Sequence, residues 1–285
     1  MTKFLIRDVS LNVKIFGSGY PLVIMHGGPG GDLYTMMSLK PLKDQFTLIF
    51  YDHRCNGRST GADVKTMTWE NLTADADALR EKLGFNKWAV LGHSFGGNVA
   101  LEYALRYPKN LSHLILVNSG ADYRWVRENA PDLLAQRGFS KDKVDLARRF
   151  LNGHIEPNEM FPSLMKLGTA YSPYLSPKQI PHMIMMGLLS KLQPAAMIFG
   201  ETQLLKDWTL MDKLHKIDVP TLLMAGREDF IYPPAHQKEL ADLIPNSRLE
   251  LIDRAGHNPH DEQPEILRQI IRDFLADAKP EISEN

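Results

Sequence analysis

A chain of 285 residues, 44% of them hydrophobic, is long enough for one or two domains with a sizeable core. Its 33 Lys and Arg balance 34 Asp and Glu to a net charge of −1, leaving no basic footprint for nucleic acid and no acidic tail. Nowhere do 18 apolar residues run together, Met1–Asp8 is too charged for a signal peptide, and the single cysteine, Cys55, has no internal disulfide partner. These features predict a cytoplasmic chain with no membrane partner.

In chain order, Phe4–Val9 and Leu11–Phe16 are expected to form an antiparallel pair. Leu22–Met25, Phe46–Tyr51, Trp88–Leu91 and Leu114–Val117 are short, nearly continuous apolar runs, the pattern of strands buried on both faces. Between them, Leu72, Ala76, Leu79 and Leu83 recur at helical spacing, after an N-cap candidate at Thr68 and before Gly84. Asn98–Tyr107 is also helical in pattern. From Asp122 to Met211 no buried strand is legible, several helical patterns are, and seven of the 13 methionines fall there. Ordinary helix packing is the simpler account of those methionines; a plastic, apolar pocket wall is the sharper one. The alternation then resumes with strands at Thr221–Ala225 and Leu249–Ile252 and helices at Pro234–Ile244 and Pro264–Leu275, and the tail after Asp277 is expected to fray. Strand–helix alternation broken by a helical stretch argues for one α/β core, a mostly parallel sheet covered by helices, with a helical insertion.

The chemistry centres on Gly92-His93-Ser94-Phe95-Gly96-Gly97, between an apolar run and a helical stretch. Glycines two residues either side of a serine permit a strained strand-to-helix turn that projects the hydroxyl, and the following helix N-terminus supplies free N–H groups. His26-Gly27-Gly28-Pro29-Gly30-Gly31 follows another strand. Alone it is a Gly/Pro turn; before such an elbow it fits a backbone segment that donates an N–H to an oxyanion, the expected donors being Gly28 and Phe95. A serine needs a base. Among ten histidines His257, in the loop after Leu249–Ile252, is preferred to His260, and a metal reading of His257, His260 and Asp261 lacks the accompanying ligand motifs. The acid that orients the imidazole is assigned to Asp229, just beyond Thr221–Ala225, with Glu228 and the more distant Asp122 as alternatives. The order Ser94, Asp229, His257 matches Ser…Asp…His.

Over nearly its whole length the chain resembles the α/β-hydrolase-fold enzymes, with a cap between core strands six and seven. His26–Gly30, and Tyr51-Asp52-His53-Arg54 leading to Gly57-Arg58-Ser59, resemble the proline iminopeptidase branch. The resemblance implies Ser94, Asp229 and His257 as the triad and Gly28 and Phe95 as the oxyanion hole. It implies a core of residues 1–121 and 212–285, a helical cap of 122–211, and no cofactor or metal. Two places depart from the branch. His93 and Phe95 stand where its elbow commonly reads G-G-S-W-G, and Cys55 replaces the first glycine of its Asp-x-Arg-Gly-x-Gly-x-Ser segment. An aminopeptidase also needs carboxylates to hold the substrate amine; Glu128, Glu156, Glu159 and Glu201 are available in the cap. The expected reaction is acyl-enzyme hydrolysis of a small ester or amide, carboxylesterase-like in first place and aminopeptidase-like in second. A ligand-binding receptor on the same scaffold is the reading from another class.

Overall fold

The computed structural model describes residues 2–278; the stretch from 279 on, where fraying is expected, lies outside the described residues. The chain opens with strands β1 (Thr2–Ile6) and β2 (Val9–Phe16), then β3 (Tyr20–Met25), a 3-10 segment (Leu33–Asp44) and β4 (Phe46–Tyr51). Helix α1 (Trp69–Lys82), β5 (Trp88–His93), α2 (Phe95–Arg106) and β6 (Leu111–Val117) follow. Five helices come next: α3 (Tyr123–Gln136), α4 (Lys141–Leu151), α5 (Met160–Tyr171), α6 (Ile180–Leu189) and α7 (Pro194–Phe199), continued by a π turn at Gly200–Leu204. The core is completed by β7 (Thr221–Gly226), α8 (Pro234–Leu243), β8 (Ser247–Ile252), α9 (Pro259–Glu262) and α10 (Pro264–Phe274).

This is the α/β-hydrolase architecture: eight strands in the order β1-β2-β4-β3-β5-β6-β7-β8, parallel from β4 to β8, with β2 antiparallel to both neighbours. Every residue of β3, β5 and β7 is buried, and alternate side chains feed two cores. Val23, Met25, Val90 and Leu116 pack on one face of the sheet, while Leu22, Ile24, Leu91 and Val117 pack on the other. Burial on both faces is why these strands read as continuous apolar runs.

The first hairpin corrects the sequence expectation. Ile6 pairs with Val9, so Arg7 and Asp8 form a two-residue turn with Arg7 at φ +52°, and Val9 belongs to β2. Helix α1 is capped where expected: Thr68 Oγ1 accepts the Asn71 N–H at 3.2 Å, and Gly84, at φ +77°, follows its end. Helix α2 begins at Phe95, not at Asn98. Its two glycines allow close approach to the sheet here and do not break the helix.

The order of strands matters for the site. From β3 the chain moves outward to β4, then returns to place β5 on the other side of β3. The carboxyl ends of β3 and β5, with Met25 opposite Gly92, flank that switch point, where loops diverge and leave a crevice.

Candidate active site

Ser94 sits at φ +51° and ψ −121°, wedged between the end of β5 and the start of α2. This strained turn depends on its glycines. A Cβ on Gly92 would collide with Gly96 and Gly97, one on Gly96 with the carbonyl ends of Met25 and His26, and one on Gly97 with Ser119. Two hydrogen bonds hold the elbow: Ser94 N–H donates to Val117 O at 3.1 Å, and Ser119 Oγ donates to Ser94 O at 2.8 Å.

The structure brings Ser94, His257 and Asp229 into one line. Ser94 Oγ lies 2.9 Å from His257 Nε2, and His257 Nδ1 lies 3.0 Å from each carboxylate oxygen of Asp229. In the neutral ring these contacts set the tautomer: Nδ1–H donates to the carboxylate and Nε2 accepts from the serine hydroxyl. Asp229 is fully buried at the end of β7, where it also accepts from Ile231 N–H at 2.9 Å and Asn118 Nδ2 at 2.6 Å. Glu228 takes no part in this line, its backbone being bound to Ala255 O and to Arg137. Asp122 is spent as the N-cap of α3, accepting from Arg124 N–H at 2.9 Å. His260 is buried in α9 with its ring 4.5 Å from that of His93, one histidine away from the serine.

His93 explains the first departure from the iminopeptidase elbow. Its Nε2–H donates to His257 O at 2.9 Å, so the elbow grips the loop that carries His257. Burial pushes the His93 ring well below the usual imidazole range, so it holds that loop as a neutral donor. From the other side, His257 N–H donates to Tyr171 O at 2.7 Å and ties the loop to α5.

Gly28 and Phe95 both line the same cavity as Ser94. Phe95 is the first residue of α2, so its N–H is among those with no acceptor within the helix. Gly28 is held at φ +134°, a value reserved for glycine, and a Cβ there would collide with Gly31 N. His26 braces this loop: its Nδ1 donates to Gly27 O at 2.7 Å and its Nε2 accepts from His53 N–H at 3.2 Å. Asn56 Oδ1 accepts Gly30 N–H at 2.6 Å.

Two further residues, not singled out by the sequence, hold the line. Asn118, at φ +43° just past β6, bridges Asp229, Gly256 O at 3.0 Å and Gly226 N–H at 3.2 Å. Its only sequence signal was its place at a strand end. Glu262 accepts Gly256 N–H at 2.7 Å and Tyr174 N–H at 2.8 Å, linking the His257 loop to the segment after α5. Burial raises its carboxyl to about 7.

The cavity above Ser94 measures about 680 Å³. Its floor is the elbow and the Gly27–Gly31 loop, and its roof comes from α4, α5, α6, α7 and the π turn. Met160, Met165, Met183 and Met197 line it, which favours the sharper account of the methionine-rich stretch. The neck of the inserted helices is closed by an antiparallel bridge between Asp122 and Thr209 and by Leu210 N–H donating to Ala121 O at 2.7 Å.

Of the four insertion glutamates, only Glu201 lines the cavity among the described residues. Glu128 and Glu156 are exposed, and Glu159 pairs with Arg149 at 2.6 Å. Glu201 is buried beside Tyr123, and its Oε2 has no hydrogen-bond partner. Burial raises its carboxyl to about 8 despite the Tyr123 hydrogen bond and the charge of Arg127. It is a largely neutral polar group in an apolar chamber.

A family model for the alpha/beta hydrolase fold matches residues 20–264. A proline iminopeptidase, PfmaB, of Pestalotiopsis fici is 29% identical over 284 residues, covering 95% of this chain and 97% of its own. The crystal structure of proline iminopeptidase from Mycobacterium smegmatis superposes with a TM-score of 0.77 at 25% identity, covering 97% of both chains. A thermophilic esterase from Thermogutta terrifontis gives a TM-score of 0.73 at 27% identity, covering 97% of this chain and 99% of the esterase.

Proposed function

Because the chain belongs to the α/β-hydrolase-fold family, we propose that it is a serine hydrolase that cleaves a small carboxylic ester through an acyl-enzyme. The observation that carries this reading is the line from Ser94 Oγ through His257 to buried Asp229, at 2.9 and 3.0 Å. Ser94 Oγ attacks the substrate carbonyl as His257 Nε2 takes its proton. Asp229 keeps the ring oriented and stabilises it once charged. Negative charge on the former carbonyl oxygen falls to the Phe95 and Gly28 N–H groups, an interaction that strengthens only as the tetrahedral intermediate forms. His257 then protonates the departing alkoxide, and water deprotonated by the same ring attacks the acyl carbon, releasing the acid and restoring Ser94. Residues 122–211 act as the cap over this chemistry.

The chamber favours an ester with an apolar acyl or alcohol part. An ammonium group held in it would need ionised carboxylates, whereas burial keeps Glu201 mostly protonated at neutral pH. An ester also has the better leaving group and depends less on remote binding energy. The aminopeptidase reading keeps a specific support in the likeness to the proline iminopeptidases of P. fici and M. smegmatis.

The test is kcat/KM for p-nitrophenyl butyrate beside prolyl p-nitroanilide, with the ester expected to be the faster. A prolyl amide ahead by about tenfold or more, with the advantage lost in Glu201→Gln, replaces the esterase reading with the aminopeptidase. Failure to turn over either substrate, with a small ligand still bound in the chamber, points to the receptor.

A further inference from the structure

We propose that the outer face of α5 and α6 docks on an anionic lipid surface, and that the cavity receives its acyl substrate from that surface. The second clause rests on the hydrolase reading; the docking does not. Helix α6 reads Ile-Pro-His-Met-Ile-Met-Met-Gly-Leu-Leu and buries none of its ten residues. Leu188 is 82% exposed and Ile184 54%, and α5 adds Phe161 at 60% and Met165 at 63%. An apolar face of this kind marks a surface meant to be covered.

The two helices frame one opening. Met165 of α5 and Ile180 and Met183 of α6 are exposed to solvent and also line the chamber that reaches Ser94. An acyl chain leaving an apolar phase would enter between them without crossing water. Among the described residues no single helix is long and apolar enough to cross a membrane. Helix α6 with α7 and the π turn passes by length and composition as a pair, but the pair bends by 96° and its second half buries Ala196, Met197 and Glu201 inside the protein, so the fit is to a surface.

Charge chooses the occupant. From Met160 to Gly200 the chain carries Lys166, Lys178 and Lys191 and no aspartate or glutamate. All three lysines are exposed, and two of them bracket α6, Lys178 before its start and Lys191 after its end. Lysines at the ends of an apolar helix keep their ammonium groups among headgroups while their stems lie along the apolar layer. A second copy of the chain fits less well, because a two-fold contact sets the same lysine-bearing face against itself. Anionic headgroups complement it.

The experiment is co-sedimentation of the full chain with vesicles of phosphatidylcholine alone and of phosphatidylcholine containing phosphatidylglycerol. Binding is expected on the second kind, falling as salt rises. Ile184→Asp with Leu188→Asp is expected to lower it by roughly tenfold or more, and Lys178→Glu with Lys191→Glu, a change of surface charge only, to abolish the preference for phosphatidylglycerol. Neither pair lines the chamber, so both variants should keep kcat/KM on water-soluble p-nitrophenyl acetate. A wild-type chain that stays in solution with both vesicles overturns the docking, as does binding indifferent to both variants. A concentration-dependent dimer that Ile184→Asp with Leu188→Asp dissociates, with no vesicle binding, assigns the face to self-association instead. Vesicle binding without hydrolysis of a long-chain ester held in the vesicle, while p-nitrophenyl butyrate is still cleaved, removes the substrate clause alone. Vesicle binding with no ester cleaved at all removes the hydrolase reading and leaves the docking.

Discussion

The floor and the roof of the cavity are built on different terms. On the floor, many positions accept only one kind of residue. Gly92 and Gly96 have no space for a Cβ, Gly28 holds a φ that other residues avoid, and buried Asp229 is met by His257, Ile231 N–H and Asn118. The roof is mostly leucines and methionines, with Ile180 and a few aromatic and small polar residues among them and a single carboxylate, and its aliphatic members could be exchanged for one another at small cost. Backbone constraint therefore points to the type of reaction, and loose apolar packing leaves the choice of substrate to a few residues.

The strongest way to break this contrast is at the serine. Ser94→Ala is expected to abolish covalent labelling by a fluorophosphonate and to lower kcat by roughly 10⁶-fold, with ligand binding under the roof intact. Labelling that persists in the variant would remove Ser94 as nucleophile. Next in size is the carboxylate. Asp229→Asn should lose roughly 10³–10⁴-fold in rate with the fold preserved, because the amide can donate to Nδ1 and hold the wrong tautomer. Glu228→Gln is the control, expected to remain near wild type, since that side chain does not meet His257. The reverse pattern would move the acid to Glu228.

The floor was legible in the sequence for the same reason that it is intolerant. Ser94 and Asp229 follow buried strands whose apolar runs stand out, His257 follows the half-exposed β8, and the glycines beside all three are there because nothing else fits. What stayed hidden is tertiary. Asn118 carries only the signal of a strand end, and Glu262 carries none, since its partners Gly256 and Tyr174 come together only in the fold. The Leu33–Asp44 segment, with Pro41 inside it, follows no period that the sequence reveals. Helices α3 to α7 could be placed as a helical stretch but not individually. Four glutamates were in view there, and which of them turns inward depends on a π turn that propensity does not encode.

Glu201 lets the roof be tested without touching the chemistry. Its carboxyl stands at about 8 in the folded chain against an ordinary 4.5. Between those values the unfolded chain has lost the proton that the folded chain retains, so folding stability falls as pH rises across that window and levels off above it. Glu201→Gln removes this liability. Its stability relative to wild type should climb between about pH 4.5 and about pH 8, by an amount on the order of a few kcal/mol at the upper end, and its melting temperature should rise relative to wild type over the same window. Ester turnover should remain within a fewfold of wild type. Thermal melts of both proteins across the pH range check this, and parallel curves would mean that Glu201 is hydrated and charged. In that case the roof offers an anion to a substrate amine, and the esterase preference loses its support.

The smallest effect concerns the other departure from the iminopeptidase pattern, at Cys55. This residue sits at φ +65° in the loop whose next member, Asn56, accepts the Gly30 N–H and so braces the Gly27–Gly31 loop. A residue with a Cβ in the left-handed region costs about 1–2 kcal/mol, which explains why glycine fits the equivalent position of that pattern. The thiol offers little in return: Sγ donates to Asp63 O at 3.4 Å, and burial raises it to about 11, which leaves it unreactive. Cys55→Ala and Cys55→Gly remove the same sulfur and differ only in the Cβ. In most contexts alanine is the more stable of such a pair by about 0.4–1 kcal/mol, because glycine gains freedom in the unfolded chain. Here relief of the backbone should outweigh that gain and put Cys55→Gly ahead by up to about 1 kcal/mol, a difference that urea unfolding of the two variants can resolve. Turnover should be equal in both, since the Asn56 bond to Gly30 does not involve the side chain at position 55. If alanine is the more stable by its usual margin, the loop relaxes without cost, and the constraint that sets the floor apart from the roof does not extend to this residue.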